Sequence, residues 1–170
     1  PFASILASSD PVKFTAAEKS YCQYYSINMH EQISGVEHVM GYFDAEGYRL
    51  AAHYFFNSNL TAMRTSTGYP NGTVFVVHGY FDHTGLYCHI IGFLLRSGFD
   101  VVIYDLPGHG LSSGESVAIE QFKQYAAIFE KCLKICRNHV KGPFFAVGQS
   151  TGAAILLEYL AGCKETKREF

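Results

Sequence analysis

The chain has 170 residues, about half of them apolar, with 12 Tyr and 14 Phe and a formal net charge of −2. That is enough apolar material for one domain to bury a core without staples. No block of Lys or Arg marks a nucleic-acid surface, and no run of 18 apolar residues offers a membrane span. The five cysteines, 22, 88, 132, 136 and 163, are odd in number and widely spaced, so they read as core thiols of a reducing compartment, with a cytoplasmic location as the default. The opening PFASILASS lacks the basic start of a signal peptide. Asn59-Leu60-Thr61 and Asn71-Gly72-Thr73 match the glycosylation sequon, but the second sits where a turn is expected.

Residues 1–35 are poorly periodic and read as a leader with one short helix near Ala16–Tyr25. Val36–Phe43 and Tyr48–Phe56 are strand-like runs around Asp44-Ala45-Glu46-Gly47, a hairpin signal. After a polar loop from Asn57 to Gly72, the unbroken apolar run Thr73–Val77 has the pattern of a strand buried on both faces. Residues 84–97 read as a helix with Thr84 as N-cap and Gly98 past its end. Val101–Tyr104 is a second buried strand, followed by a turn-rich loop from Leu106 to Ser116. Ile119, Phe122, Ala126, Phe129, Leu133, Cys136 and Val140 recur by threes and fours, predicting one face of a six-turn helix that ends by Gly142-Pro143. Phe144–Val147 reads as a third buried strand. Gly148–Gly152 is a sharp turn, Ala153–Ala161 an apolar helix, and Lys164–Phe170 a charged, solvated end.

Alternating apolar strands and helices predict an α/β fold: a mostly parallel sheet with helices on both faces. Such sheets carry their sites at the carboxyl ends of the strands. Three glycine-bearing segments fall there. Gly148-Gln149-Ser150-Thr151-Gly152 links a buried strand to an apolar helix, the context that a nucleophile elbow requires. A tight turn strains the central serine, lifts its hydroxyl clear and aims helix N-terminal amides at it. The competing reading is a turn whose serine only caps the helix. His78-Gly79-Tyr80-Phe81-Asp82-His83 follows the first buried strand, and the Tyr80 amide there is a candidate oxyanion donor beside that of Thr151. An ordinary strand–helix loop is the alternative, with His78 holding the loop by hydrogen bonds. Asp105-Leu106-Pro107-Gly108-His109-Gly110-Leu111-Ser112 fails both the dinucleotide and the P-loop patterns and reads as a shaped structural loop. His78, His83, Cys88 and His89 lack a convincing zinc spacing, so neither a metal nor a cofactor is expected.

Together these three segments resemble the serine-hydrolase family that includes monoacylglycerol lipases and bacterial lysophospholipases, the serine aminopeptidase S33 group. The match runs from about Val36 to Gly162. The resemblance implies an α/β-hydrolase fold, Ser150 as nucleophile, and the amides of Tyr80 and Thr151 as the oxyanion hole. It also implies that His78, Gly79, Asp105, Gly108, His109, Gly110, Gly148 and Gly152 shape the loops. Two departures stand out. Relatives commonly carry His-Ser-Met in the elbow, where this chain has Gln149-Ser150-Thr151. They often have Gly-Glu where it has Phe81-Asp82.

The family order is Ser, then acid, then His. All eight histidines precede Ser150, and only Glu158, Glu165 and Glu169 follow it as acids. The expectation is therefore a fragment: residues 1–35 a leader, residues 36–170 the N-terminal half of the hydrolase, truncated after the fifth strand and its helix and inactive alone. The lid would lie in the absent half and would carry any peripheral membrane contact. The expected substrate of the parent is a small-molecule or lipid monoester, such as a monoacylglycerol or lysophospholipid, with no nucleic-acid partner. A non-catalytic binding protein on the same half-fold and a peptidase of the same scaffold are the alternatives.

Overall fold

The computed structural model describes residues 1–6, 14–58 and 71–162. The sequon at 59–61, most of the 57–72 loop, Cys163 and the charged end with Glu165 and Glu169 lie outside them. In chain order the elements are α1 (Phe2–Leu6), α2 (Ala16–Tyr24), α3 (Met29–Gln32), β1 (Val36–Ala45), β2 (Tyr48–Asn57), β3 (Thr73–Val77), a 3-10 turn (Thr84–Tyr87), α4 (Cys88–Arg96), β4 (Asp100–Tyr104), α5 (Phe122–Cys136), β5 (Phe144–Gly148) and α6 (Thr151–Gly162).

The five strands form one sheet in the order β1-β2-β4-β3-β5. β1 and β2 pair antiparallel from Val36↔Asn57 to Ala45↔Tyr48, so the hairpin turn shrinks to Glu46-Gly47. Both turn residues have positive φ, 51° and 81°, as a two-residue hairpin demands. β2 pairs antiparallel with β4, while β3 lies parallel to both β4 and β5. The fold is a mixed-sheet α/β architecture in which the site-bearing strands are the parallel ones.

Alternation in β3 and β4 explains their unbroken apolar runs. Phe75, Val77, Val102 and Tyr104 enter one core with α1, α5 and α6; Val74, Val76, Val101 and Ile103 enter the other with α2, α3 and α4. The poorly periodic N-terminal segment contributes to both, since Phe2 and Ile27 are wholly buried. Cys22, Cys132 and Cys136 are buried free thiols. Burial pushes the Cys22 thiol up to about 11. A hydrogen bond with Cys136, with burial, raises Cys132 further. Among the described residues no helix is long and apolar enough to cross a membrane.

Three expectations need correction. α5 runs only from Phe122 to Cys136, and its buried stripe is Tyr125, Ile128, Phe129, Cys132, Leu133 and Cys136. Phe122 is exposed and Ile119 precedes the helix, because Gln121 caps it in extended geometry, with Gln124 completing the capping box. The segment at 84–97 begins as a 3-10 turn, and its N-cap is His83, whose ring accepts from the Gly85 amide, rather than Thr84. β5 is not buried on both faces: it is a sheet edge, and Phe145 and Val147 are more than 40% exposed.

Candidate active site

Register brings the three glycine-bearing loops together. Val77 at the end of β3 pairs with Gly148 at the end of β5, so residues 78–80 and 149–151 leave the sheet side by side. The Gln149 amide still donates to Val77 O at 3.1 Å. β4 ends at the same level, and the Leu106 amide donates to His78 Nε2 at 2.9 Å.

Ser150 occupies the apex between β5 and α6, exposed, with φ +52°. That left-handed conformation is costly for a residue with a side chain and is retained only where its surroundings hold it. Its surroundings are tight. A Cβ on Gly152 would collide with the carbonyl of Val77 and meet that of His78 at 2.8 Å; one on Gly148 would lie 2.5 Å from Ala153 N. Both positions therefore need glycine for α6 to start hard against β3. Thr151 opens α6, and neither its amide nor that of Tyr80 has a hydrogen-bond partner among the described residues. Both N–H groups are thus left unengaged, one on the loop after β3 and one at the start of the helix after β5.

The loop-shaping residues are spoken for. His78 is buried; its Nδ1–H donates to Gly79 O at 2.8 Å while Nε2 accepts from Leu106. Burial holds its imidazole below the ordinary value, against the opposing pull of the Gly79 carbonyl and Asp105. Asp105 is fully buried, and its two oxygens accept the amides of Thr84 at 2.7 Å and Leu111 at 2.8 Å. It ties the loop after β3 to the loop after β4. Gly108 and Gly110 turn that second loop with φ of 70° and 51°, and His109 Nδ1–H donates to Pro107 O at 2.7 Å. His83 Nδ1 contacts the Tyr21 hydroxyl at 3.1 Å as well as the Gly85 amide. No described histidine is hydrogen-bonded to Ser150, and no described cluster of His, Cys, Asp and Glu could hold a metal.

Sequence reasoning missed the part played by Tyr87. Its hydroxyl lies within 3.0 Å of the Gly79 amide, of Asp82 Oδ2 and, at 2.9 Å, of Gln149 Oε1. Burial, with the Asp82 carboxyl beside it, raises its phenol to about 12. Nothing in the local pattern distinguishes this tyrosine from other helix-start aromatics. Tyr80 is tied separately, its hydroxyl donating to Val117 O at 2.8 Å.

Solved structures share the fold that carries these loops. An esterase from Pyrococcus furiosus superposes with a TM-score of 0.60 over 93% of this chain and 53% of its own, at 19% identity. A predicted hydrolase from Thermoplasma acidophilum gives 0.58 over 75% of this chain and 58% of its own, at 16% identity. These likenesses define an α/β-hydrolase fold. The family follows from the sequence: the model of the serine aminopeptidase S33 family matches residues 68–169, and the chain belongs to that family. Similar curated proteins are a monoglyceride lipase homologue of Monkeypox virus, 33% identical over 56% of this chain and 34% of its own length, and a monoacylglycerol lipase of Mycolicibacterium smegmatis, 32% identical over 53% and 32%. The chain thus spans about a third of the length of these relatives.

Proposed function

We propose that this chain carries the nucleophile and oxyanion hole of a serine hydrolase that cleaves carboxylic esters, with lipid monoesters as the substrate class. The observation that carries the reading is Ser150, exposed at φ +52° on the strand–helix turn, with the amides of Thr151 and of Tyr80 on the loop after the paired strand left unengaged. The names of the monoacylglycerol lipase relatives support the substrate class.

In this mechanism Ser150 Oγ attacks the acyl carbonyl while its proton passes to a histidine. The carbonyl oxygen becomes an oxyanion held by the two amides. The tetrahedral intermediate collapses to an acyl-enzyme and releases the alcohol, which takes the proton back from the histidine; water then repeats the sequence and frees the acid. Neither the base nor its acid is assigned within residues 1–170, because every histidine here precedes Ser150 and those at the site's loops already hold them. Residues 1–170 alone are accordingly inactive in this reading.

The test is labelling of the full-length protein with a fluorophosphonate, together with hydrolysis of a monoacylglycerol. Wild type is expected to label at Ser150 and to turn over, and Ser150→Ala to do neither. Equal labelling of the two would sink the proposal. The family's aminopeptidase description keeps a peptidase as the second reading, and cleavage of aminoacyl anilides but not of acyl esters would favour it.

A further inference from the structure

Asp82 and Gln149, one residue from each of the two departures from the family resemblance, converge on one atom. Tyr87 Oη lies 3.0 Å from Asp82 Oδ2 and 2.9 Å from the Gln149 side-chain amide, and it accepts the Gly79 N–H at 3.0 Å. A phenolic hydroxyl has one proton to give and two lone pairs to fill. With the proton on Asp82 and one lone pair on Gly79, the remaining lone pair needs a donor. The Gln149 amide supplies it when its nitrogen faces Tyr87, an orientation set by the network because the two ends of the amide are equivalent in shape. Every valence of the hydroxyl is then used.

The contact is also close-packed. A Cβ on Gly79 would meet Asp82 Oδ2 at 2.9 Å and collide with the end of the Gln149 side-chain amide, so these side chains rest directly on the Gly79 backbone. Gly79 immediately precedes Tyr80, and Gln149 immediately precedes Ser150. The hydroxyl therefore joins the oxyanion loop to the elbow one residue away from each reacting group. The turn at 79–82 is otherwise closed by a single backbone bond, Asp82 N to Gly79 O at 3.2 Å.

We propose that Tyr87 is a positioning residue that locks the oxyanion loop to the nucleophile elbow through Gln149 and Asp82, fixing where the Tyr80 amide stands relative to Ser150 Oγ. This rests on the Ser150 reading above. Tyr87 itself touches no reacting atom. Its loss lets the Tyr80 amide drift from the place where the oxyanion forms, which weakens the transition state more than the bound substrate.

The experiment uses full-length protein, a p-nitrophenyl butyrate assay and a boronic acid as tetrahedral analogue. Tyr87→Phe is expected to lower kcat about 10- to 100-fold with KM within about twofold, and to weaken the boronic acid by a similar factor. Gln149→Met, which keeps length but removes the donor, is expected to do the same, and the double variant to lose little more than either single one. If Tyr87→Phe does not fold, the Gln149→Met kinetics decide. Wild-type kcat in the variants, a raised KM with kcat unchanged, or losses that simply add would overturn the clamp. A wild type that fluorophosphonate fails to label overturns the Ser150 reading and the clamp with it; a wild type that labels, alongside variants that label equally fast, overturns the clamp alone.

Discussion

His38 and His53 meet inside the protein, Nε2 to Nδ1 at 2.9 Å, and both are buried. Phe55 stacks on His38 at 4.0 Å, Phe14 lies 4.9 Å from it, and the ring of Tyr21 stacks beside His53. One hydrogen bond joins the two rings, so His38 Nδ1 and His53 Nε2 are left without a partner among the described residues. A proton added to either would put a charge in an apolar layer. Burial accordingly drives His38 well below its ordinary value, helped by His53 and His30. It takes His53 down to about 4, against the smaller upward pulls of Asp105 and Glu18. The unfolded chain binds these protons near pH 6.5 and the folded chain does not. The stability they contribute is therefore complete above pH 6.5 and is lost as pH falls from there towards 4. Urea unfolding at pH 7.5, 6, 5 and 4.5 should show it, and His53→Phe should flatten the profile in that window. An unchanged slope in the variant would place the pH dependence on other groups.

The element that covers this pair is α2, and its start is set by two residues. Thr15 Oγ1 accepts from the Glu18 amide at 3.3 Å, and Glu18 Oε2 accepts from the Thr15 amide at 2.7 Å, a complete capping box. Thr15→Ala should cost about 1 kcal/mol, read as a shift in urea midpoint with an unchanged m-value. A loss below a few tenths would mean that packing alone holds the helix. α2 was legible as a short helix, and the structure adds the cap that sets its start. α1 and α3 were not: they have five and four residues, too few for a period to show, and they exist because Phe2 and Met29 find the two cores. The α5 stripe agrees with the expected one at Phe129, Leu133 and Cys136, but Tyr125, Ile128 and Cys132 complete it where the expected face had Phe122 and Ala126. β3 and β4 read correctly as strands because both faces are covered, whereas β5 has the same apolar pattern with one face open. The glycine-bearing loops could be found because close backbone approach restricts residue type. The Tyr87 contacts could not, since they join positions 62 apart through side chains of ordinary type.

At the scale of the molecule, the sheet of the described residues has two edges, β1 and β5, and they are treated differently. α1 lies over β1, with Phe2 packed so closely that a Cβ on Gly41 would meet its Cα at 3.1 Å. β5 has pairing only on its β3 side among the described residues, and Phe145 and Val147 project from one face at 44% and 42% exposure. On α6, which follows directly, Leu157 and Leu160 are 68% and 45% exposed. An unpaired apolar edge next to exposed leucines is a template for strand addition and association. The 170-residue chain, expressed alone, should therefore self-associate with rising concentration, seen by sedimentation velocity. Val147→Lys places a charge on the open face of the edge strand without touching the Phe144 and Ala146 side that packs on the core. It should shift the chain towards monomer while leaving its unfolding midpoint within about 0.5 kcal/mol of wild type, as for other exposed sites. If Val147→Lys associates as strongly as wild type, another surface drives the assembly, and the next substitution to test is Leu157→Lys on α6.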